Sequence, residues 1–114
     1  MKKALVIVGE QGTGKNMMAR GIAEWVGKGT YFETSMTEIR QRGIMTEVRR
    51  NGVPLFPGET IIIDGLCLAD LEDAKSFLLT HSLMDVIFLS YDVDALKVEM
   101  SDQRFCIIRI GTSS

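Results

Sequence analysis

The residues with the clearest chemical potential form a glycine-rich segment, Gly9-Glu10-Gln11-Gly12-Thr13-Gly14-Lys15, which follows an apolar run. Its spacing is G-x-x-x-x-G-K. Glycines in this pattern let the backbone curl so that successive N–H groups converge on phosphate oxygens, and a following helix adds a positive dipole. Lys15 can then reach the β- and γ-phosphates as a point charge. The segment therefore predicts a phosphate-binding loop.

The motif lies between an apolar strand and an amphipathic helix, and it resembles the loop of the P-loop nucleoside-triphosphate-binding proteins. The resemblance covers nearly the whole chain in the order of its elements. It implies that ATP or another nucleoside triphosphate binds together with Mg²⁺. The implied nucleotide-binding residues are Gly9, Gln11, Gly12, Thr13, Gly14, Lys15, Asn16 and Met17. The family usually has Ser or Thr as a magnesium ligand where this chain has Asn16, whose amide oxygen can coordinate the ion or hold one of its waters.

A second candidate metal ligand is Asp64, which ends the apolar run Ile61-Ile62-Ile63. This run resembles the Walker B element of the same proteins, in which the acid holds Mg²⁺ directly or through water. We expect its strand to neighbour that of the loop. Lys15 and Asp64 are accordingly the predicted catalytic residues. An aspartate that only shapes the Asp64-Gly65 turn is the structural alternative.

The residues after Asp64 bear on the branch of the family. Helicase and AAA ATPases usually have a water-activating Glu next, whereas this chain has Gly65. A strand that ends Asp-Gly, followed by a loop, a helix and another apolar strand, is similar to adenylate kinase and related nucleotide kinases. Those kinases carry an Arg where this chain has Leu66-Cys67-Leu68, and residues 101–104 are too short for their lid. A Gly-Lys-Asn ending also occurs in helicase-like replication proteins of phages and mobile elements, which keeps that alternative open.

A basic segment follows the second predicted strand. Its arginines fall within eleven residues and are Arg40, Arg42, Arg49 and Arg50. In nucleotide kinases this insertion binds the phosphate acceptor, and the guanidinium fork suits phosphate. The segment is therefore predicted to contact a second phosphate group, with Thr34 and Ser35 adding hydroxyls. A surface for single-stranded nucleic acid, an acidic partner and a solvated helix face are the alternatives.

These residues need a scaffold, and alternating apolar strands and amphipathic helices predict one. Strands are predicted at Ala4–Val8, Thr30–Glu33, Thr60–Ile63, Val86–Leu89 and Phe105–Ile108. Strands that are apolar on both faces belong to parallel sheets covered by helices. We therefore expect a three-layer α/β/α P-loop fold with a mostly parallel five-stranded sheet, whose ligands bind at the carboxyl ends of the strands.

Helix signals lie between the predicted strands. The first predicted helix is Lys15–Val26, with Met18, Ile22, Trp25 and Val26 on one face. The second starts at the capping box Ser35–Glu38, is interrupted by Gly43 and ends at Asn51-Gly52. The third is capped by Asp70 and has Leu71, Ala74, Phe77 and Leu78 on one side, and the last is capped by Asp92 and carries Val93, Leu96 and Met100.

Composition limits the class of protein. At 114 residues, 46% hydrophobic and 25% charged, the chain fits one domain over residues 1–114. A net charge of −2 argues against a general nucleic-acid binder, and the longest apolar run is far too short to span a membrane. Cys67 and Cys106 are predicted to be buried thiols, and His81 a partner of a helix C-terminus. We expect a cytoplasmic protein.

Two classes of function remain open at this stage. One is a small NTPase or kinase-like phosphotransferase, with Glu10 and Gln11 as polar groups that position a water. The other is a non-catalytic nucleotide-binding module, or a helicase-like ATPase fragment, whose site a partner protein or a second copy of the chain completes.

Methionines are predicted to fill the core, namely Met17, Met18, Met36, Met45 and Met84.

Overall fold

The computed structural model describes residues 4–26, 30–91 and 104–111. Its strands are β1 (Ala4–Val8), β2 (Tyr31–Ser35), β3 (Arg49–Arg50), β4 (Val53–Pro54), β5 (Thr60–Asp64), β6 (Asp85–Ser90) and β7 (Phe105–Arg109). Its helices are α1 (Lys15–Val26), α2 (Met36–Arg42) and α3 (Leu71–Thr80), with a 3₁₀ turn at Leu68–Asp70 before α3. All five predicted strands are confirmed, with ends that lie within two residues of those expected.

The main sheet has five parallel strands in the order β2-β5-β6-β1-β7. The register pairs Val8 with Ser90 and Ser35 with Asp64, so the strands end along one side of the sheet, here called the carboxyl edge. Their starts form the opposite, amino edge. The predicted fold class, a parallel α/β sheet between helical layers, is confirmed.

The position of Asp64 in the sheet differs from the expectation. Strand β6 lies between β1 and β5, so the strand that ends at Asp64 does not pair with the strand that leads into the glycine-rich loop. Two strand spacings amount to about 10 Å. The prediction of a directly neighbouring strand was therefore wrong, although both strands end at the carboxyl edge.

Side chains alternate between the two faces of the sheet, and helices cover both faces. The larger buried cluster joins Val6, Ile63 and Phe88 to the apolar sides of α2 and α3. The smaller cluster joins other sheet residues, Ile7, Ile62, Ile87 and Leu89, to α1. This sandwich of layers positions the carboxyl edge, where α1 begins.

Helix α1 contacts the sheet through only part of the predicted face: Ile22 is partly buried against the sheet cluster, whereas Met18 is 38% exposed. Its buried residues are Lys15, Ala19 and Ala23, which recur every four positions and so share one side of the helix. Trp25 and Val26 are 89% and 57% exposed, which makes their predicted burial wrong. The short alanine side chains allow the helix to lie close to the sheet, and Ile22 packs beside them against the same cluster.

Helix α2 begins as predicted but ends early. Ser35 Oγ accepts the N–H of Glu38 at 3.2 Å, which confirms the N-terminal cap. The helix ends at Gly43, and the predicted continuation to Asn51-Gly52 is wrong. Those two residues instead form the turn of the β3–β4 hairpin, with φ angles of 51° and 80°. Two successive positive φ angles are typical of the type I′ turn that Asn-Gly favours.

Helix α3 buries the predicted residues Leu71, Ala74 and Phe77. Its cap differs, because Asp70 makes no hydrogen bond to the first turn. One carboxylate oxygen of Asp70 accepts Arg40, and the other accepts the N–H of Cys67 at 3.1 Å. The last predicted helix, which starts at Asp92, lies outside the described residues.

The two cysteines are free and exposed, so their predicted burial is wrong. Cys67 follows β5 in a surface loop. Cys106 alternates with the buried Phe105 on β7, an edge strand, and therefore points to the opposite face. Methionine burial is mixed: Met36 is buried and Met84 partly buried, as predicted, whereas Met17, Met18 and Met45 are exposed.

His81 lies at the C-terminus of α3, as predicted, but as a buried neutral side chain. Its Nε2 accepts the N–H of Val48 at 3.0 Å, so Nδ1 carries the proton toward the Phe77 carbonyl, 3.1 Å away. Burial lowers the pKa of His81, which agrees with that hydrogen-bond pattern. Within the described residues no helix is long and apolar enough to cross a lipid bilayer.

Candidate functional site

The glycine-rich loop joins β1 to α1 at the carboxyl edge. Gly12 and Gly14 have φ angles of 84° and 85°, a region that disfavours residues with a Cβ. The Glu10 carbonyl accepts the backbone N–H of Thr13 at 3.3 Å and its hydroxyl at 2.7 Å, which closes the turn. The residue types therefore match the backbone shape, since glycine stands where the chain needs a positive φ.

Most of the glycine-rich loop and the start of α1 are exposed. The first N–H groups of any α-helix have no acceptor within the helix, and they form the positive end of its dipole. Here those positions include Asn16 and Met17, both exposed, and the preceding Gln11, Gly12 and Gly14 are exposed as well. A helix start of this kind is suited to an anion.

Lys15 is folded back into the loop and is only 4% exposed. Its Nζ donates to the carbonyl oxygens of Gly9 and Glu10, each at 2.8 Å, and lies 3.9 Å from the centre of the Tyr91 ring. Burial lowers the pKa of Lys15, and the charge of Asp64 partly opposes that effect. The ammonium is thus held inside the curve of the loop.

An open cleft of about 270 Å³ adjoins the start of α1 at the carboxyl edge. It is lined by Asn16, Glu33, Thr34, Ser35, Glu38, Ile62, Asp64 and Leu89. The cleft thus brings together four residues singled out in the sequence, Asn16, Asp64, Thr34 and Ser35. Each carries an oxygen that can bind a cation or a water.

The oxygen donors of the cleft are of the types that Mg²⁺ prefers. Magnesium usually keeps several waters and takes one or two carboxylates together with phosphate oxygens. Asp64 supplies a carboxylate and Asn16 an amide oxygen on the same cleft. Within the described ranges, no group of three or more His, Cys, Asp or Glu side chains could hold a metal ion.

The cleft also contains two carboxylates that the sequence did not single out for chemistry. The Arg20 guanidinium donates to both carboxylate oxygens of Glu33, with Nε–Oε1 and Nη2–Oε2 distances of 2.5 and 3.2 Å. Glu38 accepts the hydroxyl of Thr34 at 2.9 Å. In the sequence, the capping box already explained Glu38 as a structural residue. Its position shortly after a strand that ends at the carboxyl edge could have indicated that it lies near the cleft.

The structure separates two of the predicted arginines from the loop. Arg50 pairs with the buried Glu59 and donates to the Tyr31 carbonyl at 3.2 Å. Tyr31 begins β2 and Glu59 precedes β5, so this pair lies at the amino edge. A strand of five residues spans about 16 Å, which puts Arg50 far from the carboxyl edge. Its neighbour Arg49 is on the same hairpin, with Glu47 at 3.7 Å.

The other two predicted arginines belong to α2. Arg40 forms an ion pair with Asp70, on the loop that precedes α3. Arg42 is exposed in the last turn, close to Gly43 and Thr46. Neither residue lines the cleft that contains Asn16 and Asp64.

Comparison with known proteins does not assign the chain to a family. No family model matches it, and no curated protein sequence is significantly similar to it. The candidate site is therefore defined by its own geometry at the carboxyl edge.

Proposed function

We propose that this chain is a P-loop protein that binds ATP or another nucleoside triphosphate together with Mg²⁺. The observation that carries the proposal is the loop around Lys15. Gly12 and Gly14 have positive φ angles, the Lys15 ammonium lies inside the loop, and the start of α1 next to it is exposed. A triphosphate presents the several negative charges that such a loop attracts.

Each part of the site has a role in this proposal. The backbone N–H groups of residues 11–17 and the Lys15 ammonium would bind phosphate oxygens. Asn16 and Asp64 would hold Mg²⁺, directly or through water. The bound ion would neutralise charge on the phosphates. The single domain over residues 1–114 and a cytoplasmic location, consistent with two free cysteines, belong to the same proposal.

The strand order favours an NTPase of the helicase-like type over a nucleotide kinase. Helicase-like and AAA ATPases have one strand between the phosphate-loop strand and the acidic strand, whereas nucleotide kinases pair those strands directly. Strand β6 occupies that intervening position here. The argument is one of fold analogy. The location of Arg49 and Arg50 at the amino edge further weakens the case for an acceptor phosphate on them.

Hydrolysis needs a group that orients the attacking water and takes its proton. Gly65 follows Asp64 where helicase-like ATPases have a glutamate. Among the described residues of the cleft, Glu38 supplies a carboxylate that is bound by a single hydroxyl, that of Thr34. We assign it the task of positioning water. Glu33 suits this task less, because Arg20 binds both of its oxygens.

A non-catalytic nucleotide-binding module is the second candidate function, and the Gly65 position favours it. Isothermal titration with nucleoside mono-, di- and triphosphates, with and without Mg²⁺, tests the binding that both functions share. We expect the triphosphate to bind most tightly and Mg²⁺ to strengthen its binding. Absence of triphosphate binding would refute the proposal. Bound ATP that stays intact over hours would select the module.

A further inference from the structure

The aromatic ring of Tyr91 covers the lysine of the loop. The Lys15 Nζ lies 3.9 Å from the ring centre, and the ring is itself half exposed, whereas Lys15 is almost fully buried. The ring is therefore the outer wall of the ammonium pocket, and the carbonyls of Gly9 and Glu10 form its inner side. The phosphate-loop motif ends long before residue 91, so the motif does not identify this contact.

The backbone next to Tyr91 is anchored to the loop. Ser90 ends β6, and its carbonyl accepts the N–H of Gly9 at 3.0 Å. The Ser90 hydroxyl is buried and donates to the Leu66 carbonyl at 2.5 Å. These bonds fix the residue before Tyr91 to the first residue of the loop and to the segment that follows β5. The ring is thus attached to the parts of the fold that shape the site.

The contact satisfies a chemical need of Lys15. A buried ammonium is costly unless its charge and its donors have partners. Two carbonyls accept two of its N–H groups, and the negative face of an aromatic ring stabilises a cation that is shielded from water. Without the ring, water would compete for the ammonium and the flexible side chain would have more rotamers to occupy. A phosphate group would then have to order the lysine as it binds.

We propose that Tyr91 is a positioning residue that holds the Lys15 ammonium in the loop for the phosphate chain of the nucleotide. The inference rests on the proposed function and adds a residue to it. The aromatic face does the work, so phenylalanine should replace tyrosine, whereas an aliphatic side chain should not.

The test compares Tyr91→Phe and Tyr91→Leu in calorimetric titrations with ATP and with inorganic tripolyphosphate. Tripolyphosphate has no base or sugar, so it reports the phosphate site alone. We expect Tyr91→Leu to weaken both ligands about 3- to 30-fold, the range of a shielded cation–π contact, and Tyr91→Phe to stay within about twofold of wild type. Trp25→Leu removes an exposed aromatic residue from α1 and should change neither affinity.

Two results would overturn the inference. If Tyr91→Leu weakens ATP but not tripolyphosphate, the ring contacts the base or sugar instead of acting through Lys15. If Tyr91→Leu leaves both affinities unchanged or strengthens them, the ring is neutral or obstructs the site.

A nuclear magnetic resonance measurement separates this failure from failure of the proposed function. The ring should shift the side-chain signals of Lys15 upfield in wild type and in Tyr91→Phe, and the shift should vanish in Tyr91→Leu. If the shift is present but wild type binds neither ligand, the proposed function fails and the positioning role with it. If wild type binds both ligands and the shift is absent, only the role of Tyr91 fails.

Discussion

Lys15 and Asp64 interact across an intervening strand. Lys15 follows β1 and Asp64 ends β5, while β6 lies between those strands. The carboxylate nevertheless raises the pKa of the lysine, against the larger lowering effect of burial. Both groups lie at the carboxyl edge, where the parallel strands β1 and β5 end, and charge interactions weaken with distance. The carboxyl edge thus brings the Lys15 cation near the Asp64 anion, the pair of charges that the proposed phosphate chain and magnesium ion would need.

Replacing Lys15 with alanine should weaken triphosphate binding by about 1.5–3 kcal/mol, the contribution of a hydrogen bond to a charged group. Lys75→Ala, which removes a lysine from α3, is the matched control and should leave the affinity unchanged. Calorimetric titration measures both. Since Lys15 is buried and satisfies two carbonyls, its loss should also cost about 1 kcal/mol of stability, so urea unfolding must show that the variant is folded. Equal affinity in wild type and Lys15→Ala would remove the main support for the proposed function.

The proposed metal ligands, Asn16 and Asp64, can be tested through the dependence of triphosphate binding on Mg²⁺. Asp64→Asn removes a charge from the cleft, so it should weaken binding in the presence of Mg²⁺. Without metal, the same variant should bind as well as wild type or more tightly, since a negative charge has left the phosphates' surroundings. Asn16→Ser restores a hydroxyl and should increase the gain that Mg²⁺ provides. Titrations of the three proteins with and without Mg²⁺ in which the ion has no effect would contradict both assignments.

Arg50 should act on stability and not on ligand binding. Arg50→Ala leaves the buried Glu59 carboxylate without its cation, so we expect a loss of about 1–3 kcal/mol in the free energy of unfolding, less than for a fully buried pair because Arg50 is partly exposed. Arg49→Ala breaks only a solvent-exposed contact with Glu47 and should change stability by less than about 0.5 kcal/mol. Urea unfolding compares the two variants. A clear loss of triphosphate affinity in Arg50→Ala at unchanged stability would contradict its placement at the amino edge.

His81 should make stability depend on pH. Its pKa is lowered by burial in the folded protein, so the unfolded chain binds the proton more strongly. The stability that the neutral ring provides is complete above about pH 6.5, the ordinary pKa, and decreases as the pH falls below that value. His81→Gln keeps an acceptor for the Val48 N–H and removes the titrating group. Unfolding in urea at pH 7.5 and 5.5 should show a larger decrease for wild type than for this variant, and equal decreases would rule out the contribution of His81.

The sequence predicted the strands and the position of the glycine-rich turn between β1 and α1 because both depend on local residue types. Runs of branched apolar residues such as Ile61-Ile62-Ile63 form strands in nearly any buried parallel sheet. The contact of α1 was predicted only in part, at Ile22, because large side chains such as Trp25 dominated the apolar pattern, whereas the fully buried residues include Ala19 and Ala23. The hairpin was missed although Asn51-Gly52 is a strong turn signal, since glycine also ends helices.

The strand order and the partners of the arginines depend on contacts between distant residues. A sequence shows that β1, β5 and β6 are strands, but their order follows from how the whole sheet packs. The placement of Asp64 two strands from the loop was therefore not predictable. Arg40 pairs with Asp70, 30 positions further along the chain, and Arg50 pairs with Glu59, 9 positions further along. The charge pattern of the basic segment alone could not show that these side chains are already paired.

A substitution at Glu38 distinguishes the two candidate functions, an NTP-hydrolysing enzyme and a non-catalytic binding module. If it positions the attacking water, Glu38→Gln should lower the rate of ATP hydrolysis by about 100-fold or more, the typical effect of losing a general base, while ATP affinity stays within about twofold. Glutamine keeps the size of the side chain, and the Ser35 cap to the residue 38 N–H remains. Glu72→Gln makes the same change in the first turn of α3, outside the cleft, and controls for the effect of a lost helix-terminal charge. Release of inorganic phosphate measures the rate, with calorimetry for affinity. Equal turnover in Glu38→Gln and wild type would exclude Glu38 as the base, whereas no turnover in wild type despite tight binding would identify the chain as a module.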